Sequence, residues 1–129
     1  MDQPHSIQDW RLDALTIVGG AVFAALTLNH VSESNWFLAG MTGGTAVMFL
    51  LVPFVRRYFS NTVAAHMVIG GLFLNATGIN CFTGGLSVPA FYVFGLITIL
   101  AAILINHRAG IAWAIFSTVE ILAIAGAHV

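Results

Sequence analysis

Charged side chains are scarce in this sequence of 129 residues: Asp, Glu, Lys and Arg together make up 7%, and lysine is absent. A chain of this size needs more charge to cover the surface of a water-soluble globule, whereas 59% of its residues are hydrophobic. We therefore predict an integral membrane protein in contact with the lipid bilayer. The four arginines are too few and too scattered to follow nucleic-acid phosphates, so nucleic-acid binding is not predicted.

Cysteine is also nearly absent, since Cys81 is the only one. A single cysteine rules out an intrachain disulfide and a CxxC motif, and Cys81 is interpreted as a small apolar filler, as buried free cysteines usually are. The sequence contains no HxxxH or HExxH spacing on a helix and no catalytic triad or phosphate-binding motif in a suitable context. It therefore predicts no enzyme, metal site or cofactor. The alternatives are a quinone contact or a haem held by His66 with His107, or by His30 with His128.

Long apolar runs, by contrast, are abundant and divide the chain into five segments. Each segment is close to the roughly 20 residues that a helix needs to cross about 30 Å of hydrocarbon. The connections are too short to hold a second domain. The sequence therefore predicts an all-α fold, a single transmembrane bundle over residues 1–129 with five spans at about 12–28, 36–55, 62–82, 90–105 and 110–127.

The arginines predict how these spans are oriented. Alternate threading places Arg11, the pair Arg56 and Arg57, and Arg108 on one face, while the opposite loops carry Glu33 and no basic residue. Because cytoplasmic loops are enriched in basic residues, the N-terminus is predicted to be inside and the C-terminus outside. Few basic residues precede the first span and no Ala-x-Ala cleavage site follows it, so it does not resemble a cleaved signal peptide. We expect it to remain as a membrane anchor.

The third span and the turn after it carry an unusual share of polar and turn-forming residues. The polar residues of the span are His66, Asn75, Thr77 and Asn80. They must face protein or water, because unpaired polar groups in hydrocarbon cost free energy. Gly84 and Gly85 can adopt a positive φ without a Cβ penalty, and Pro89 suits the first turn of the next helix. We predict a tight, ordered turn between the third and fourth spans.

Glu120 is the one acidic residue that the sequence places well inside a span, roughly 15 Å from its edge. An ionisable residue at that depth indicates a functional site, because charge is costly in hydrocarbon. We predict a ligand-binding or proton-linked site formed by Glu120 with Asn75, Thr45 and Ser117, and we add His66 as a further candidate. The competing interpretation is a neutral, hydrogen-bonded glutamic acid that fixes the register of the helices.

Glycine residues recur in pairs along the first three spans. The pairs are Gly19 with Gly20, Gly43 with Gly44, and Gly70 with Gly71, and Gly40 and Gly44 add a small-xxx-small spacing. Small residues let membrane helices approach closely. They are interpreted as packing within the bundle, or alternatively as a dimer face. The predicted partners, besides lipid, are a second copy of the chain or the subunits of a larger membrane assembly.

A set of features from Asn61 onward has a counterpart in known proteins. These features are the third span with His66 near its start, the turn Thr83-Gly84-Gly85-Leu86 with Ser87 and Pro89, an apolar fourth span, and Asn106-His107-Arg108-Ala109-Gly110 followed by Trp113. In these residues the chain resembles the multi-span membrane input domains of bacterial sensor histidine kinases and membrane-bound diguanylate cyclases. The resemblance implies a bacterial cytoplasmic (inner) membrane protein in signal transduction. Such bundles usually have a sixth span leading to cytoplasmic catalytic domains, whereas this sequence reaches Val129 after the fifth.

Three functions follow from these patterns. The predicted function is a membrane-embedded signal-input (sensor) module that responds to a small apolar ligand, a quinone state or the membrane itself. It would pass helix movement to a partner or to a cytoplasmic domain not present in this chain. The alternative is a small accessory, structural subunit of a larger respiratory or photosynthetic membrane complex. The third hypothesis is a channel or proton path through Glu120, for which the sequence offers a single buried acid.

Overall fold

The computed structural model describes residues 7–84 and 88–127, and these residues fold into five α-helices. The helices are α1 (Ile7–Ser32), α2 (Trp36–Tyr58), α3 (Asn61–Thr83), α4 (Val88–Leu104) and α5 (His107–Ala127). No β-strand occurs in these residues, so the predicted all-α class is confirmed. The helices follow the predicted apolar spans in order, with their ends moved by up to five residues.

Polar residues in front of the helices explain part of this difference. The capping residues are Asn35 before α2, Ser60 before α3 and Asn106 before α5. Asn106 Oδ1 accepts a hydrogen bond from the backbone N–H of Ala109 at 2.9 Å, which satisfies one of the N–H groups at the helix start. α5 therefore begins at His107, before the apolar run that marks its predicted span. α1 likewise includes polar residues ahead of its own apolar run.

Four of the helices in the described residues are long and apolar enough to cross a membrane. These segments are Asp9–Ser32, Trp36–Tyr58, Asn61–Thr83 and His107–Ala127. The 17 residues of α4 rise only about 26 Å, slightly less than the roughly 30 Å of hydrocarbon. Length and composition therefore support four crossings. A fifth crossing, by α4, belongs to the proposal made below.

The chain divides into two compact units, Met1–Val68 and Ile69–Val129, and the division falls within α3. α1 packs against α2 in the first unit, and α4 packs against α5 in the second. The prediction of a single bundle over the whole chain stays a prediction.

Small and aromatic residues hold α1 against α2 in the first unit. A Cβ placed on Gly19 would lie 2.6 Å from Cζ of Phe49, so the phenyl ring occupies the space that the glycine leaves open. The same ring stacks on Phe23 with the ring centroids 5.9 Å apart. Thr27 Oγ1 donates a hydrogen bond to Thr42 Oγ1 at 3.1 Å. Close glycine packing and interhelical hydrogen bonds are typical contacts between membrane helices.

In the second unit the backbones of α4 and α5 approach each other closely at Gly110. A Cβ on Gly110 would lie 2.8 Å from the Cβ and 3.2 Å from the Cα of Ala102. Phe94 of α4 is fully buried, and its ring meets that of Phe73 on α3 edge-on, with centroids 5.6 Å apart. The second half of α3 thus packs with α4 and contributes to the core of this unit.

The connection between α3 and α4 agrees with the prediction where it is described. Gly84 has a φ of 78°, in the left-handed region that a Cβ disfavours. Pro89 lies in the first turn of α4, where its missing N–H leaves no helix hydrogen bond unmade. Gly85, the other glycine of the predicted turn, lies outside the described residues.

Candidate functional site

Glu120 lies about 20 Å along α5 from its first residue, His107, and thus further from the helix start than the 15 Å expected from the sequence. Its side chain is half-buried. Within the part of the chain that the structure describes, it makes no hydrogen bond and no ion pair. Ser117, one turn earlier, is buried, and its Oγ has no hydrogen-bond partner among the described residues.

The partners predicted for Glu120 lie in different units. Asn75 belongs to the second unit, where it is 6% exposed and about 21 Å along α3 from Asn61. Thr45 belongs to the first unit, and its Oγ1 donates to the carbonyl oxygen of Met41 at 2.9 Å, within its own helix. Glu120 has no hydrogen bond to Asn75, although the two residues belong to the same unit. The site built on Glu120 stays a prediction.

The remaining candidates lie near helix ends. His66 is exposed, a little more than one turn into α3, and His107 is exposed at the start of α5. His30 Nδ1 lies 3.6 Å from Glu33 Oε2 at the end of α1, while its predicted haem partner, His128, lies outside the described residues. Cys81 is exposed on α3, so its interpretation as a buried filler is wrong.

The structure contains an aromatic crevice that the sequence interpretation missed. Its lining residues are Gly70, Phe73 and Leu74 from α3, and Trp113 and Phe116 from α5. It has a volume of about 280 Å³. The Trp113 ring packs against two phenyl rings, with its centroid 5.7 Å from that of Phe73 and 5.9 Å from that of Phe116. A Cβ on Gly70 would be 3.7 Å from Cη2 of Trp113, so this glycine borders the crevice without crowding it.

The crevice has a lining suited to an apolar ligand with a flat ring. Aromatic rings prefer offset-stacked or edge-to-face contacts with other rings, and three aromatic side chains are available here. The sequence held a signal for this site, since Gly70, Phe73 and Leu74 recur at helical spacing, as do Trp113 and Phe116. The contact between α3 and α5, which brings Trp113 beside Gly70 and Phe73, is not visible in the sequence.

A second arrangement, a polar cluster, joins three helix ends in the first unit. Arg56, near the end of α2, bonds through Nη1 to Asp13 Oδ1, and its Nη2 lies 3.4 Å from Asp9 Oδ1. Its Nε donates to Oδ1 of Asn61, the first residue of α3, at 2.9 Å. Asn61 Nδ2 in turn donates to Asp9 Oδ1. We call these four residues the Arg56 cluster; it connects the start of α1, the end of α2 and the start of α3.

The outer surfaces of the helices define the class of protein. Large apolar side chains in the middle of the candidate spans are well exposed, including Ile17 at 72%, Leu50 at 70% and Leu122 at 66%. Such side chains are stable in hydrocarbon, and four helices have the length to cross it. The chain is therefore a helical membrane protein. No protein-family model matches its sequence, and neither a curated protein nor a solved structure matches it.

Proposed function

We propose that this protein is a signal-input module of a bacterial cytoplasmic membrane, in which the aromatic crevice binds a small apolar ligand. The observation that carries the proposal is the crevice itself: two helices that are separate in sequence, α3 and α5, line one space with three aromatic rings. A ligand that enters would contact both helices and change their separation. That movement would be passed to a partner or to a cytoplasmic domain.

The size of the crevice limits the class of ligand. An apolar cavity of about 150 Å³ holds benzene, so a space of about 280 Å³ fits a substituted single ring or a compact two-ring compound. It lies just below the usual range for drug-sized ligands, which starts near 300 Å³. Quinone head groups have this size and shape, whereas a haem is too large for it. The proposed ligand class is therefore a quinone or a similar flat apolar ring.

The proposed topology has five crossings with the N-terminus inside. It is supported by the four arginines, which all lie on one face if α4 also crosses. α4 falls short of the hydrocarbon thickness by about 4 Å, and a bilayer accommodates such a mismatch by local thinning at a fraction of a kcal/mol per Å. The starts of α3 and α5 are then both cytoplasmic, and the crevice lies in the half of the membrane nearer to that side.

Ligand binding can be measured through Trp113. A variant with Trp10→Phe and Trp36→Phe leaves Trp113 as the sole tryptophan in the chain. We expect duroquinone, a fully substituted quinone that does not add to Cys81, to quench its fluorescence saturably in reconstituted vesicles. Gly70→Leu should abolish the saturable part by filling the crevice. Gly95→Leu is the matched control, because a Cβ on Gly95 has no atom within 4 Å.

A smaller substitution at Gly70 controls for the possibility that Gly70→Leu misfolds. Gly70→Ala adds a Cβ at an ordinary contact distance of 3.7 Å from Trp113, so it should fold and still bind duroquinone. Unsaturable quenching in the parent protein, identical in Gly70→Leu and Gly95→Leu, would show only that the quinone dissolves in the bilayer. That result would contradict the proposed site.

Helix movement needs a separate measurement. A spin label on Cys81 of α3 and a second on Val119→Cys of α5, which is 60% exposed, report the distance between the two helices. We expect duroquinone to shift the distance distribution measured by double electron–electron resonance, and to leave it unchanged in Gly70→Leu. Saturable binding without a shift would contradict the sensor function and favour a static accessory subunit.

A further inference from the structure

Beside the Arg56 cluster lies a second cavity, at the ends of the helices and with both polar and apolar walls. It has a volume of about 390 Å³. Its lining residues are Asp9, Pro53, Arg56, Arg57 and Asn61. All of these residues belong to the first unit, and none of them lines the aromatic crevice. Neither the sensor function nor the resemblance assigns it a role.

The two arginines of this cavity differ in what they are bound to. The Arg56 guanidinium is held by Asp13, Asp9 and Asn61. Arg57 is exposed, and no hydrogen bond or ion pair engages it within the residues that the structure describes. Arg57 therefore keeps its planar set of N–H donors for a ligand, whereas the donors of Arg56 are largely used by the protein.

The position of the cavity selects the kind of ligand. α2 ends at Tyr58, and the side chains of Tyr58 and Phe59 are 74% and 73% exposed, as expected for residues at the membrane–water interface. Phospholipid phosphates occupy the same level. A guanidinium binds phosphate oxygens through parallel hydrogen bonds, and the apolar wall formed by Pro53 suits the glycerol and the first carbons of an acyl chain.

We propose that this cavity binds the phosphodiester headgroup of a glycerophospholipid, with its phosphate on Arg57. The charges around the cavity support a phosphodiester, which carries one negative charge. Asp9 and Asp13 are both paired with Arg56, so among the described lining residues Arg57 is the cation left to a ligand, and its single positive charge matches the single negative charge of a phosphodiester. This proposal rests on the membrane location of the chain and is independent of ligand binding in the crevice.

Lipid binding can be counted by native mass spectrometry of the full chain in a phosphate-free maltoside detergent titrated with phosphatidylglycerol. We expect the first lipid to bind Arg57→Gln about tenfold more weakly than the unsubstituted protein, equal to about 1.4 kcal/mol. Arg57→Lys should fall in between, because lysine keeps the charge and loses the paired donors. Arg108→Gln, an exposed arginine at the start of α5, is the matched control and should leave the first binding step unchanged.

A free anion site would behave differently from a lipid site. Inorganic phosphate in excess should not displace the first lipid, because the lipid also contacts the protein through its glycerol and chains. Displacement by inorganic phosphate would overturn the lipid assignment. Equal weakening in Arg57→Gln and Arg108→Gln would show general attraction at the interface, and unchanged binding in Arg57→Gln would remove the role of Arg57. Melting curves of each variant check that the fold is retained.

Discussion

Arg56 and Arg57 are neighbours in the sequence with the same charge, yet the structure gives them different surroundings. Arg56 connects three helix ends through Asp9, Asp13 and Asn61, whereas Arg57 is exposed and lines the adjacent cavity. The sequence predicted that both lie at the same end of a span. It could not predict which of them is bound, because that depends on the rotation of α2 relative to α1.

Removing the central arginine of the Arg56 cluster should destabilise the protein. Arg56→Gln leaves Asp9 and Asp13 without their cation and breaks the bond from Nε to Asn61. We expect a loss of about 1–2 kcal/mol, at the lower end for charged hydrogen bonds because Asp13 is 49% exposed at its side chain. Thermal unfolding in detergent, followed by helical circular dichroism, measures it. Arg11→Gln removes an exposed arginine and should change little; equal losses in both variants would contradict the role of the cluster.

Substituting Glu120, unlike substituting Arg56, should not lower the stability of the protein. Without a hydrogen-bond partner among the described residues, a half-buried carboxyl group in a membrane helix gains little from its surroundings. Glu120→Gln and Glu120→Leu should therefore both retain the stability of the parent protein, and the leucine variant should equal or exceed it. A loss of 1 kcal/mol or more in Glu120→Leu alone, in the same unfolding measurement, would show that Glu120 has a partner and would support the predicted site.

At the scale of elements, the sequence predicted the order and type of all the helices in the described residues, because apolar runs and short polar breaks are strong signals in a membrane protein. It also predicted the turn conformation at Gly84. It missed the left-handed conformation of Ser34, which has a φ of 56° in the turn between α1 and α2. Serine has no strong preference for that conformation, so local composition gives no signal for it.

Which helices pack against each other could not be predicted from the sequence either. Apolar membrane helices have no polar outer face to show which side is buried, so amphipathic periodicity, the usual guide, is weak. The close approach of α4 and α5 depends on Gly110, which did not belong to any of the recognised glycine pairs. Pairing was visible only in the contacts themselves.

This close approach leads to a paired prediction for two glycines. Gly110→Ala would place a Cβ 2.8 Å from the Cβ and 3.3 Å from the backbone nitrogen of Ala102, and the backbone cannot move aside easily. We expect a loss of about 1–3 kcal/mol, typical of overpacking. Gly95→Ala, on α4, meets no atom within 4 Å and should leave the stability unchanged or slightly higher. Similar melting temperatures for the two variants would contradict the packing of α4 on α5.

At the scale of the whole molecule, the account depends on whether α4 crosses the membrane. Four helices among the described residues are long and apolar enough to cross, and the arginine pattern requires a fifth crossing to bring Arg108 to the same face as Arg11. Hydropathy cannot decide this, because the 17 residues of α4 are highly apolar and yet short of the hydrocarbon thickness. The side of the membrane on which α5 begins, and with it the proposed position of the crevice, follows from the answer.

Thiol labelling in intact cells tests most directly whether α4 crosses the membrane. In a Cys81→Ser background, single cysteines replace Glu33, Ser60 and His107, and a membrane-impermeant maleimide is added before or after permeabilisation. The account predicts that the cysteine at Glu33 reacts in intact cells, and that those at Ser60 and His107 react only after permeabilisation. A cysteine at His107 that reacts in intact cells, while that at Ser60 stays protected, would show that α4 does not cross and would contradict the five-span topology.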